Sequence, residues 1–197
     1  MQLPAPATLL AMAVVALGLL ALHLVATHGT GTLDGPVLAV ASISPSTTLS
    51  LWWHHLWAGF FHRSWGHLAY NLAVLVIAFP FAVRQQGPWL TLANAYWIGP
   101  FTVFTLHLLV VLPLASAGLP YAVKALEIPL VGFSVMAYSM AGMALTLAPP
   151  PVAVASIVGL VLYETALALC VTAPFIGVYH VVGFGMGFWV RTLLLRS

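Results

Sequence analysis

Residues 89–111 read WLTLANAYWIGPFTVFTLHLLVV and contain no Asp, Glu, Lys or Arg. A helix needs about 17–25 largely apolar residues to cross the hydrocarbon core of a bilayer, and this stretch meets that requirement. Five other stretches of similar character occur, separated by Gly and Pro residues that interrupt helices. The six predicted spans are residues 9–25, 67–83, 89–111, 130–147, 152–171 and 175–195. We therefore predict an all-α, polytopic membrane protein in which residues 1–197 form a single bundle of six transmembrane helices.

The composition agrees with a chain whose main solvent is lipid. Hydrophobic residues make up 62% of the sequence and charged residues only 4%, which is too few to cover the surface of a soluble domain of this size. Five Lys and Arg against three Asp and Glu give a net charge of +2, and the basic residues are scattered along the chain. The sequence therefore predicts an integral, multi-pass membrane protein that contacts the lipid bilayer and does not bind nucleic acid.

The long first loop, residues 28–66, differs in character from the other connections. Its aromatic residues alternate with imidazole and guanidinium groups, and side chains with one apolar and one polar end favour the headgroup level of a membrane. We predict that this loop lies along the membrane surface and does not cross it. The residues behind this prediction are Trp52, Trp53, Trp57, Phe60, Phe61, Trp65, His54, His55, His62 and Arg63.

Polar side chains recur near the start of the second, fourth and sixth predicted helices. With six spans these three helices run in the same direction, so His67, Ser134 and His180 lie within roughly 10 Å of one membrane surface, at 1.5 Å per residue. His67 shares a helix face with Asn71, and Ser134 shares one with Tyr138, because residues four apart point the same way. These five side chains are therefore predicted to converge.

Small residues indicate which helices pair. Membrane helices associate by close contact, and glycines on a shared face permit that contact. The fourth and sixth predicted helices both carry such residues, which favours pairing between them and brings the serine towards the imidazole. The glycines concerned are Gly132, Gly142, Gly183 and Gly187.

The convergence of one hydroxyl and an imidazole predicts nucleophilic catalysis. A serine hydroxyl becomes nucleophilic when a neighbouring base takes its proton, and the oxyanion that follows needs donors aimed at it. We predict a Ser134–His180 dyad, with His67 and Asn71 as oxyanion donors and Tyr138 packed against the imidazole. No Asp or Glu is placed to complete a triad. Glu164, inside the fifth predicted helix, is expected to be protonated, paired or facing the cavity, and a structural polar contact is favoured over a role in gating or orienting another group. No cofactor is required.

These same residues resemble the motifs of the rhomboid family of intramembrane serine proteases, over about residues 60–190. The resemblance implies a six-helix protease that cleaves transmembrane segments of other membrane proteins, with the nucleophile at Ser134, the base at His180 and oxyanion contacts at His67 and Asn71. Val135 occupies a position where the family usually has glycine. The matching stretches are Phe61-His62-Arg63-Ser64-Trp65-Gly66-His67-Leu68-Ala69-Tyr70-Asn71, Gly132-Phe133-Ser134-Val135…Tyr138…Gly142 and His180-Val181-Val182-Gly183…Gly187.

Two other functions are compatible with the sequence. A rhomboid-like protein with weak or no catalytic activity, which binds transmembrane clients without cutting them, is favoured by Val135. A small transporter or a haem or metal carrier is suggested by the eight histidines. No metal site is predicted, because no Cys or carboxylate accompanies the histidines at the spacing that metal sites in helices use.

Overall fold

A computed structural model describes residues 5–41, 54–84, 86–127, 132–170 and 174–194. Helices dominate these ranges, and within them the only β-type pairing is one isolated bridge between Thr32 and Ser64. The prediction of an all-α fold is therefore confirmed. In chain order the helices are α1 (Pro6–Ala26), α2 (Gly35–Ala41), α3 (His54–Ala58), α4 (Trp65–Ala82), α5 (Pro88–Leu106), α6 (Leu112–Ser116), α7 (Pro120–Glu127), α8 (Ser134–Leu145), α9 (Pro150–Cys170) and α10 (Pro174–Leu194).

Three segments in the described part of the chain are long and apolar enough to cross a bilayer, as expected of a membrane protein. These are α1, α4 and a continuous segment from Pro88 to Ser116. The apolar helices Ser134–Leu145 and Pro150–Ala166 are shorter. A membrane protein is thus supported, while the number of six spans stays a prediction.

The third predicted span is longer in the structure than residues 89–111. A π-helical turn, His107–Val111, joins α5 to α6, so the helical segment runs on to Ser116. Pro113 lies just beyond this turn and has no N–H for the usual bond to the carbonyl four residues back. Within the turn the Leu112 N–H bonds to the His107 carbonyl, five residues back. A π turn placed before a proline lets the helix continue where a regular α-helix would break.

The fourth predicted helix starts later than residue 130, and this corrects the position of the serine. Residues 130 and 131 lie outside the described residues, Gly132 and Phe133 form a turn, and Ser134 is the first residue of α8. Gly132 has a φ of 120°, a conformation that glycine adopts readily and that cannot continue a right-handed helix. Ser134 is therefore the first residue of this helix, whereas the sequence predicts that it lies about one turn after the helix start.

The described part of the first loop packs partly against the bundle. Ala58, the last residue of α3, is buried, and its carbonyl accepts a hydrogen bond from the Gly132 N–H at 2.8 Å. His62 is also fully buried. Trp52 and Trp53 lie outside the described residues, and the location of the loop along a membrane surface stays a prediction.

The core is organised around α8. This short helix packs against α4, α5 and α10, and every residue from Ser134 to Met140 is buried. Its apolar side chains join those of α4 in the largest cluster of buried residues, and α9 packs against α10. A helix surrounded by other helices has no lipid-facing side, which allows it to hold a hydroxyl and small residues away from the hydrocarbon.

Candidate functional site

A tight turn at Gly132 and Phe133 immediately precedes Ser134, the first residue of α8. The Gly132 N–H is held by the Ala58 carbonyl, and the Phe133 N–H donates to His62 Nε2 at 3.4 Å. A side chain at position 132 would overlap the ring of His67 in addition to being strained by its φ of 120°. Two independent constraints therefore require glycine here, and they place His67 beside the residues that lead into Ser134.

His62 supports this turn in its neutral form. Burial lowers the pKa of His62 from its ordinary value of 6.5 to about 3, and the neighbouring His67 adds to the effect. The two rings meet edge to face, with centroids 5.3 Å apart. Since a protonated imidazole has no free lone pair, only the neutral ring can accept the Phe133 N–H. The sequence matched His62 to a family motif but did not predict this supporting role.

Helices α8 and α10 touch through their backbones at three levels. A methyl group on Gly142 would lie 2.9 Å from the Phe188 nitrogen, and one on Gly187 would lie 2.7 Å from the Ser139 carbonyl carbon. At the level nearest the serine, Gly183 faces Val135, whose Cγ1 would be 2.6 Å from an added Cβ. The structure thus brings together the two helices whose pairing the sequence predicts, with glycines at the points of contact.

Val135 fits this interface without disturbing the turn. Its branched side chain lies against Gly183, on the face of α8 that meets α10. The bend before the serine occurs at Gly132 and not after the serine, because Val135 lies within regular α-helix. A β-branched residue is therefore accommodated at the position where the rhomboid family usually has glycine.

His180 is held in the first half of α10 next to the N-terminal end of α8. Its ring stacks face to face on Tyr138, with centroids 4.4 Å apart and planes 4° from parallel. Tyr138 lies one helical turn after Ser134 and on the same face, so the stack places the imidazole alongside the serine end of α8. Ser134 and His180 are both buried, at 7% and 8% exposure.

The structure places a carboxylate beside His180, where the sequence predicts no acid placed to complete a triad. Glu164, in α9, is only 4% exposed, and its Oε1 lies 2.9 Å from His180 Nδ1. The sequence did not reveal this contact because it joins α9 to α10, and no spacing along the chain reports which face of one helix meets another. The rarity of an acid within a predicted span indicates that Glu164 is paired or faces a cavity, and the structure identifies His180 as its partner.

His67 and Asn71 lie one turn apart on α4, which packs against α8, and the His67 ring lies beside Gly132. Asn71 is fully buried, and neither its Oδ1 nor its Nδ2 has a hydrogen-bond partner among the residues that the structure describes. Next to it, the hydroxyl groups of Tyr70 and Tyr138 hydrogen-bond to each other and tie α4 to α8. Buried amides in proteins are nearly always hydrogen-bonded, so an unpartnered one on the helix that packs against α8 is suited to bind an incoming group.

The hydroxyl of Ser134 differs from other hydroxyls in these helices. Ser139 donates to the Met136 carbonyl and Thr192 to the Phe188 carbonyl, both in the usual back-bonded arrangement. Ser134 is the first residue of α8, so its own helix has no preceding turn whose carbonyl could accept its hydroxyl hydrogen. It is therefore not engaged by its own helix and can react or bind.

No three His, Cys, Asp or Glu side chains within the described ranges are arranged to hold a metal ion. The site consists of a serine, an imidazole in contact with a carboxylate and a tyrosine ring, and a facing amide and imidazole. Such a set can perform acyl transfer through a covalent serine ester. Comparison with known protein families, with curated proteins and with solved structures finds no match to this chain.

Proposed function

We propose that this chain is an intramembrane serine endopeptidase that crosses the bilayer six times and cleaves transmembrane segments of other membrane proteins. The observation that supports this most directly is the stack of His180 on Tyr138, one turn from Ser134 on a shared helix face. The resemblance of the same residues to rhomboid motifs provides the substrate class.

In the proposed reaction Ser134 Oγ attacks a peptide carbonyl and its proton passes to His180 Nε2. The negative charge that develops on the carbonyl oxygen is stabilised by the Asn71 amide and by His67, both on α4. When the tetrahedral intermediate collapses, His180 returns the proton to the departing amine nitrogen, leaving an ester on Ser134. Water, deprotonated by the same imidazole, hydrolyses the ester and regenerates the hydroxyl.

The buried position of the site matches a substrate that comes from the membrane. Peptide bonds in a transmembrane helix are internally hydrogen-bonded, so a carbonyl becomes available only where that helix unwinds. An unpartnered amide such as Asn71 can compensate such a freed carbonyl, because it replaces the hydrogen bond that the substrate helix has lost. Short unwound segments of transmembrane helices are therefore the proposed substrates.

The test is covalent labelling of the purified protein in detergent by a fluorescent fluorophosphonate, followed by peptide mapping. We expect a single adduct on Ser134 and complete loss of labelling in Ser134→Ala. Ser139→Ala is the matched control, because Ser139 is a buried serine on the same helix whose hydroxyl donates to the Met136 carbonyl. That variant should be labelled at the rate of the unchanged protein.

A second assay connects the labelled serine to proteolysis. Reporter proteins with single transmembrane segments are reconstituted with the protease in liposomes, and their fragments are analysed by mass spectrometry. Cleavage that requires Ser134 supports the proposal. Absence of both labelling and cleavage, together with stable capture of the reporters, would instead indicate a protein that binds transmembrane clients without cutting them.

A further inference from the structure

We infer that Glu164 is a positioning residue which sets the orientation and tautomer of His180, so that the reactive unit is a Ser134–His180–Glu164 triad. This inference rests on the proposed function. It assigns a role in the reaction to the one acid in the described helices that contacts an imidazole.

The contact has the geometry of a directed hydrogen bond. Glu164 Oε1 lies 2.9 Å from Nδ1, within the range of a charge-assisted bond, and both side chains are buried. A buried carboxylate is costly unless it is paired, and within the described ranges His180 is its only ion-pair partner. Pairing with His180 therefore offsets the cost of burying the carboxylate, and this favours keeping the imidazole in this position.

A glycine on α10 makes the contact possible. Gly177 lies one turn before His180, and a methyl group there would be 3.2 Å from Glu164 Oε2 and 3.3 Å from Glu164 Cβ. Both distances are shorter than ordinary contacts between such atoms. The absence of a side chain at position 177 thus lets α9 approach α10 at the level of the imidazole.

Two contacts together determine the position of the ring. The parallel stack on Tyr138 sets the plane of the imidazole, and the bond to Glu164 sets its rotation within that plane. Because an ionised carboxylate only accepts hydrogen bonds, Nδ1 carries the proton and Nε2 keeps its lone pair. The lone pair on Nε2 is the one that a general base requires.

The carboxylate also contributes during the reaction. When the Ser134 proton reaches Nε2 the ring becomes an imidazolium, and the negative charge of Glu164 stabilises it without accepting a proton. Glu164 stays ionised throughout, and the proton leaves with the amine product. A purely structural ion pair between α9 and α10 would stabilise the fold and would not affect this step.

The experiment separates these roles by measuring the rate of labelling over a range of fluorophosphonate concentrations, which yields a maximal rate, kinact, and a half-saturation concentration, KI. In Glu164→Gln, which has the same shape and no charge, we expect kinact to fall roughly 10²–10⁴-fold, as in triads that lose their acid, with KI unchanged. Glu164→Asp, which keeps the carboxylate on a shorter side chain, should recover part of the rate. Thr165→Val, at the neighbouring exposed position of α9, is the control and should match the unchanged protein.

Each outcome bears on a different statement. If Ser134 is labelled normally and Glu164→Gln keeps its kinact within twofold, the triad is wrong and the proposed protease stands. If the unchanged protein is not labelled at Ser134, both proposals fall. Should Glu164→Gln not fold, Gly177→Ala tests the same contact, because its methyl group displaces the Glu164 carboxylate without removing its charge. A lower kinact at constant KI in this variant supports the inference, and an unchanged kinact overturns it.

Discussion

Gly187→Ala tests the idea that contact between α8 and α10 is the basis of the site. A Cβ built on Gly187 would lie 2.7 Å from the Ser139 carbonyl carbon and 2.8 Å from Ser139 Cα. Carbon atoms in favourable contact are about 3.5–4.0 Å apart, so the two helices have to separate by about 1 Å. The atoms in the way belong to the backbone, which cannot move aside by rotating a side chain.

The consequences differ for stability and for chemistry. Overpacking of this kind typically costs about 1–3 kcal/mol, which lowers the unfolding temperature of the purified protein. Displacement of a base by about 1 Å from its nucleophile can reduce the rate about 10²-fold, so labelling of Ser134 should slow by that factor. Thermal unfolding in detergent and fluorophosphonate labelling measure the two effects on one sample.

Gly185→Ala is the matched control for this substitution. Gly185 lies two residues earlier on α10, and nothing is within 4 Å of a Cβ at that position. The same chemical change should therefore leave both unfolding temperature and labelling rate close to those of the unchanged protein. Equal behaviour of the two alanine variants would refute the argument that backbone contact at Gly187 positions His180.

Two further predictions concern His62 and Asn71. The pKa of His62 is about 3 in the folded chain and 6.5 in the unfolded chain, so between these pH values only the unfolded chain binds a proton there. The free energy of unfolding therefore falls as the pH drops, by about 2 kcal/mol between pH 7 and pH 5. Denaturant titrations at both pH values should show a smaller pH effect in His62→Gln, and an equal effect would contradict the assignment. Asn71→Ala should lower kinact about 10²–10³-fold through loss of an oxyanion donor. It should leave the unfolding temperature unchanged or higher, because no described residue hydrogen-bonds to the buried amide. A marked loss of stability in that variant would contradict this expectation.

Much of the helical framework follows from local properties of the chain. Within the described residues each predicted span overlaps a helix, since long apolar runs between Gly and Pro residues have few alternatives to helix in a membrane. The differences lie at the ends. The π-helical turn before Pro113 and the start of α8 at Ser134 both depend on backbone geometry that a hydropathy pattern does not report.

The sequence by itself determined the all-α class, the apolar character of the helices and the positions of a hydroxyl, two imidazoles and an amide along them. Only the tertiary structure decided that Glu164 meets His180, that Tyr138 stacks on the same ring and that His62 holds the turn before Ser134. The physical reason is that apolar runs and helical spacing are properties of one segment. Contacts between helices depend instead on which faces approach closely enough, and here glycines on α10 allow that approach at separate levels for α8 and α9.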